Sequence, residues 1–205
     1  MPVRKIPIAP HTIYHVYNRS ISKYKVFNNH AEFLKLLNSI RFFINKNQPA
    51  SEIHIGQKLI DIIAYCLMPT HIHFILREYK EGAIKALMGS IQKSYTQYFN
   101  FKHKRRGPLW ESRFKNVMVK KDEQLLHLTR YIHLNPVTDY IVDDPADWLY
   151  SSYREYLNSE VENYSICSFE DYLSIDSKEY SKFVTDRISY QRELSKIKHL
   201  VGELE

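Results

Sequence analysis

Residues 58–78 read KLIDIIAYCLMPTHIHFILRE, two aliphatic and β-branched runs that meet at Met68-Pro69-Thr70. Each run has the length of a strand, and the proline, which cannot donate to a ladder, falls at the connection. The pattern predicts a hairpin, and any fold must be built around it. In the second run successive side chains alternate across the sheet, so His71 and His73 share one face while Ile72 and Phe74 share the other. One face is expected to be buried and the other chemical. Two imidazoles supply at most half of a tetrahedral metal shell, so the rest must come from elsewhere.

The remaining elements follow from periodicity. TIYHVYNRS at 12–20 alternates and reads as a first strand, with Tyr14 and Val16 towards a core and His15, Tyr17 and Arg19 facing the other way. Phe33, Leu36, Leu37, Ile40 and Phe43 recur at helical intervals, and NQPAS is a plausible stop beyond them. Residues 81–100 place Ile84, Leu87, Met88 and Ile91 on one helical face, and Gly107-Pro108 marks a turn beyond. RFKNVMVKK reads as a fourth strand, and DEQLLHLTRYIHLNP as a third helix, opened at Asp122 and stopped at Pro136. The order βαββαβα predicts an α+β fold, an antiparallel sheet with helices over one face and the other face open.

The charge is unevenly distributed. Residues 1–137 carry 22 Lys and Arg against 8 Asp and Glu, a net of +14, whereas residues 138–205 carry 7 against 15, a net of −8. An excess of that size favours a polyanionic partner such as nucleic acid, through counterion release and long-range attraction. Cys66 and Cys167 are in no metal-type spacing, and no run approaches a membrane span, so a cytoplasmic protein without a membrane partner is expected. The acidic composition from about residue 157 suggests a division into 1–156 and a helical extension, 157–205. That extension could cover part of the basic surface.

In RYIHLNPV, Tyr131 and Asn135 stand four apart and are neighbours on one helix surface. The C-terminal end of a helix favours a cation. With His71 and His73, the Asn135 oxygen would make an incomplete oxygen and nitrogen shell, suited to Mg²⁺ or Mn²⁺ shared with phosphate oxygens. These motifs, His71-Ile72-His73 and YIHLNP, resemble those of the HUH single-tyrosine transposases. GPLWESRFK at 107–115 is similar to a segment of their REP-associated subgroup. The resemblance covers about residues 11–155, with Thr70 where such proteins often carry asparagine. It implies a ferredoxin-like fold acting on hairpin-bearing single-stranded DNA, with Tyr131 as nucleophile, His71, His73 and Asn135 as metal ligands, and a 5′-phosphotyrosine intermediate. It also leaves a homodimer open. Tyr95 and Tyr98 are rival nucleophiles without a following ligand, and His127 and His133 are candidate bases.

FKHKRRGPLWESRFK contributes Lys102, Lys104, Arg105, Arg106, Arg113 and Lys115, with Phe101 and Trp110 among them. Basic groups grip phosphates and aromatic rings stack on unpaired bases, so these residues and Arg19 are the expected DNA contacts. Trp110 could equally pack under the sheet. Two other functions fit the same pattern: a non-catalytic single-strand-binding module, and an HUH nuclease in replication or host DNA processing.

Overall fold

The computed structural model describes residues 8–46, 59–158 and 165–202. Its elements run β1 (Thr12–Arg19), α1 (His30–Lys46), β2 (Ile60–Met68), β3 (His71–Glu78), α2 (Ala83–Lys102), β4 (Lys115–Val119), α3 (Asp122–Thr138), a single turn α4 (Tyr153–Tyr156), α5 (Ser177–Thr185) and α6 (Ile188–Gly202). The strands form one antiparallel sheet in the order β2-β3-β1-β4, the ferredoxin-like arrangement. The expected α+β class and its hairpin are therefore present, while NQPAS lies outside the described residues.

One sheet face carries Tyr14, Val16, Ile72 and Phe74, all buried. The crossover helices α1 and α2 lie over it, bringing Phe33, Leu36, Leu37 and Ile40 and then Ile84, Leu87, Met88 and Ile91 into the core. Glu78, on that same face of β3, fixes the start of α2. Its carboxylate accepts from Gly82 N at 3.0 Å and Ile84 N at 2.7 Å, pairing a negative charge with the positive end of the helix. Glu32 does the corresponding work for α1, accepting from Asn28 N at 2.7 Å while Asn29 Oδ1 accepts from Glu32 N at 3.2 Å.

The opposite face is not left open throughout, because α3 lies against it over β2 and β3. β2, nearly all apolar, is buried along its whole length, its single charged residue Asp61 included. Its outer edge is paired by the chain after α3. Leu67 N donates to Tyr150 O, Ser152 N to Tyr65 O and Ser168 N to Ile62 O, each at 2.9 Å. An edge satisfied in this way offers no template for a foreign strand.

The sequence expectation that Pro136 ends the third helix is corrected by the structure, where α3 continues to Thr138. A proline inside a helix deprives the carbonyl four residues earlier of its donor. Here Asn135 Nδ2 replaces that donor, lying 3.4 Å from Ile132 O and 2.8 Å from Tyr131 O. The asparagine before the proline is thus part of the helix's own hydrogen bonding.

The described C-terminal part packs on α3. Tyr180 of α5 is fully buried, and its hydroxyl lies 2.7 Å from His133 Nδ1. The Arg130 guanidinium sits 4.1 Å over the Phe183 ring, and Arg192 of α6 donates through Nε to Val137 O at 3.1 Å. Among the described residues no helix is long and apolar enough to cross a membrane.

Candidate active site

Strand register assembles the site. In the β1–β3 ladder Tyr17 pairs with His73 and Arg19 with His71, so His15, Tyr17, Arg19, His71 and His73 share the face opposite α1 and α2. The His71 and His73 rings lie 5.0 Å apart, edge to face. His15 reaches diagonally, its Nε2 lying 2.9 Å from His73 Nδ1, and stacks on Tyr17 at 4.9 Å. Thr70 Oγ1 lies 3.0 Å from His71 Nδ1. Both Nδ1 atoms are thus engaged by protein partners, and on each ring Nε2 is the nitrogen turned away from them.

From the far side, α3 brings Tyr131 and Asn135. The Tyr131 ring stands edge-on to both His73 and His15, at 6.0 and 6.3 Å. The Asn135 side chain lies close enough to the His71 ring to favour its protonated form. Its amide nitrogen is committed to the α3 backbone, so its oxygen is the atom that faces outward. His71, His73, Tyr131 and Asn135, two from the hairpin and two from a helix some sixty residues later, therefore meet within a single chain.

Burial sets the electrostatics of these side chains. Burial holds the His15 and His71 imidazoles down to about 4, helped at His71 by the Arg19 charge and opposed there by Asn135. His73 is lowered as well, by burial and then by His71, His15 and Arg19. Neutral imidazoles need lose no proton to bind a metal. The phenol of Tyr131 is raised by burial and by Asp139 and Tyr17, and Arg19 is the group that pulls it back down. Two neutral Nε2 atoms and an outward carboxamide oxygen fit a divalent cation with positions to spare for phosphate oxygens. Among the described residues no cluster of three His, Cys, Asp or Glu is disposed to hold a metal, so a site here would need a ligand of another kind beside the two histidines, which Asn135 could supply.

The basic residues divide by what they touch. Lys104, Arg106, Arg113, Lys115 and Arg19 are exposed. Lys102 is committed to Glu32 at 2.7 Å, and Arg105 is tied to the turn through Asn100 Oδ1 at 3.0 Å and Pro108 O at 2.7 Å. Trp110 is packed, 8% exposed with its ring beside Phe27 and Tyr95, so its face offers no platform for a base. Phe101, 90% exposed, is the ring displayed in that run.

The rival nucleophiles and bases separate in the same way. Tyr95 is fully buried and donates to Val26 O at 2.5 Å, and Tyr98 is half-buried beside it. His133 points into the core, bonded to Tyr180 and, at 2.8 Å, to Ser152 Oγ. His127 is occupied by Arg130, its Nδ1 lying 2.8 Å from the guanidinium. His15 and Tyr17 are the site residues to which sequence reasoning gave no part. Alternation put them on the correct face, but only the register shows His15 touching His73.

The family model described as IS200-like transposase matches residues 9–135. A Haemophilus influenzae protein assigned as a REP-associated tyrosine transposase is 23% identical over 129 residues, covering 58% of this chain and 73% of that protein. The solved structure of a REP-associated tyrosine transposase bound to a REP hairpin superposes with a TM-score of 0.56 at 17% identity, covering 82% of this chain and 97% of the other.

Proposed function

The chain belongs to the IS200-like transposase family, and from that premise we propose that it cuts and rejoins hairpin-bearing single-stranded DNA with Tyr131 as nucleophile. The observation that carries the reading is the convergence of Tyr131, His71, His73 and Asn135 on one sheet face, from β3 and α3 of the same chain. The solved relative holds a REP hairpin, and a hairpin is the substrate class proposed here.

His71 and His73 through Nε2 and Asn135 through Oδ1 would hold Mg²⁺ or Mn²⁺. A divalent ion there supplies positive charge that draws electron density from the scissile phosphate. The chain's own groups do the rest. Ligand lone pairs on both Nε2 atoms require the proton on each Nδ1, with Thr70 Oγ1 and His15 Nε2 as acceptors, so these two residues orient the imidazoles. Arg19 favours the phenolate of Tyr131 and complements the phosphate charge.

The Tyr131 oxygen attacks phosphorus, the bond from phosphorus to the 3′ oxygen breaks, and the phenol's proton is balanced by the one gained at the new 3′ hydroxyl. The product is a 5′-phosphotyrosine. Because a phenolate leaves more readily than an alkoxide, a 3′ hydroxyl from another strand can displace it, which turns cleavage into strand transfer. All four groups come from one chain, so the step needs no second copy. We assign residues 1–156 to this catalytic unit and 157–205 to a C-terminal extension, whose described residues brace α3 through Tyr180, Phe183 and Arg192.

The test is incubation of the protein with a hairpin oligonucleotide and Mn²⁺, followed by denaturing electrophoresis. A covalent adduct is expected from the native chain and none from Tyr131→Phe, which should still bind the DNA. An adduct of undiminished yield in Tyr131→Phe would refute the assignment.

A further inference from the structure

The catalytic face carries a second phenol. Tyr17 stands opposite His73 in the β1–β3 ladder, its ring 6.0 Å from that imidazole and stacked on His15 at 4.9 Å. Tyr131 reaches the same two imidazoles, 6.0 Å from His73 and 6.3 Å from His15, but comes to them from α3. One pair of rings is thus shared by two phenols, one from the helix and one from the sheet. We infer that Tyr17 is the general acid of the cleavage, giving its proton to the 3′ oxygen as that oxygen leaves phosphorus. The inference rests on the reading that Tyr131 attacks a DNA phosphate at this site.

The Tyr17 hydroxyl is available for that role. Its ring is held by His15 and His73, yet among the described residues its oxygen makes no hydrogen bond, and the side chain is only half-buried. Nothing in the fold accounts for the hydroxyl, since phenylalanine would stack as well. The neighbouring polar groups are committed: Thr70 Oγ1 lies against His71 Nδ1, His15 Nε2 against His73 Nδ1, and Asn135 Nδ2 is bonded to the α3 backbone. Arg19 does not give up its proton in a protein. The positions around Tyr17 on this face are His15, Arg19, His73 and, across the β1–β4 ladder, Lys115. None is acidic, so a DNA strand can lie over the phenol without meeting like charge.

In an in-line displacement the leaving oxygen departs on the side of phosphorus away from the nucleophile. With Tyr131 attacking from α3, the 3′ oxygen is turned towards β1, where Tyr17 stands. An alkoxide leaves less readily than a phenolate, so cleavage is the direction that needs a proton supplied. The bond from phosphorus to the Tyr131 oxygen forms and the bond to the 3′ oxygen breaks. The Tyr131 proton passes to water, the Tyr17 proton passes to the 3′ oxygen, and Tyr17 recovers one from water. In rejoining the transfers reverse, and the Tyr17 oxygen takes the proton of the incoming 3′ hydroxyl.

The experiment compares two hairpin oligonucleotides in Mn²⁺, one natural and one with sulfur replacing the bridging 3′ oxygen at the phosphate that the native chain cuts. A thiol ionises near about pH 8.5, so sulfur departs without a donated proton. Tyr17→Phe keeps the ring and its stack, and it should melt with the native protein and bind the natural hairpin within about twofold of the native Kd. At saturating DNA it should form the covalent adduct about 100-fold more slowly than the native chain on the natural oligonucleotide, and within about threefold of native on the sulfur one. An unchanged rate on the natural oligonucleotide overturns the inference. Equal slowing on both does so too, because that is what a purely structural Tyr17 would give.

Tyr131→Phe separates this from the nucleophile reading, since it should give no adduct with either oligonucleotide. Adduct lost in Tyr131→Phe but formed at the native rate on natural DNA by Tyr17→Phe leaves Tyr131 standing and removes Tyr17 from the step. Adduct that persists in Tyr131→Phe and is lost in Tyr17→Phe makes Tyr17 the nucleophile and overturns both.

Discussion

Replacing Glu32 with glutamine should weaken the fold in a pH-dependent way. The carboxylate is fully buried, with Oε1 2.7 Å from both Lys102 Nζ and His103 Nε2 and Oε2 accepting from Asn28 N at 2.7 Å and Asn28 Nδ2 at 3.1 Å. Burial alone would raise its pKa, but Lys102, the Asn28 amide and His103 outweigh it and hold the group at about 2 against an ordinary 4.5. By proton linkage that fall corresponds to roughly 3 kcal/mol. Lys102 and His103 are each about a third exposed, so water screens the cluster and roughly 1–2 kcal/mol survives. The folded value lies below the unfolded one. The stabilisation is therefore complete above about pH 4.5 and disappears as pH falls towards 2. Urea unfolding should find Glu32→Gln less stable than native by roughly 1–2 kcal/mol at pH 7, with the gap at least halved by pH 3. A gap of the same size at both pH values, or none at pH 7, would refute the reasoning.

Three further outcomes follow from the site. His15→Ala should weaken Mn²⁺ binding about 10- to 100-fold by calorimetric titration, since His73 loses the acceptor that fixes its tautomer; unchanged affinity would remove His15 from the site. Arg19→Gln should slow adduct formation about tenfold at saturating DNA, because the Tyr131 phenol loses the one charge that lowers its pKa; an unaltered rate would confine Arg19 to binding. Tyr180→Phe leaves His133 Nδ1 without its partner and should lower the unfolding free energy by about 1–2 kcal/mol in urea. The adduct yield of that variant should be unaltered at 25 °C, and a loss of adduct in a folded protein would show that α5 does more than brace α3.

Much of the fold was legible because its signals are local. Alternation in TIYHVYNRS and across Met68-Pro69-Thr70 marked the strands, and the apolar spacing of α1 and α2 marked the helices. The meeting of the histidines with Tyr131 and Asn135 was legible through a family resemblance in the residues; spacing alone brought together only the members of each pair. What failed depended on tertiary partners. Pro136 reads as a helix stop until Asn135 is seen supplying the missing donor. Lys102 reads as a phosphate contact until Glu32, seventy residues earlier, is found beneath it. For Trp110 the sequence left display and packing equally open, because no pattern in its own segment separates them, and the structure packs it beside Phe27 and Tyr95 and bridges it to Ser20. The acidic extension is expected as a helical appendage, and its described residues do pack on the domain, on α3 through Tyr180 and Arg192, with Arg192 also paired to Asp143 at 2.8 Å; a cover over the basic surface was only its sharper alternative.

The most direct measurement is to digest the covalent adduct with trypsin and locate the nucleotide by mass spectrometry. The nucleotide should sit, through a 5′ phosphate, on Tyr131 at the start of the peptide running from Tyr131 to Arg154. Modification on the peptide that ends at Arg19, which carries Tyr17 beside the same histidines, or on the one carrying Tyr95 and Tyr98, would contradict the account at its centre.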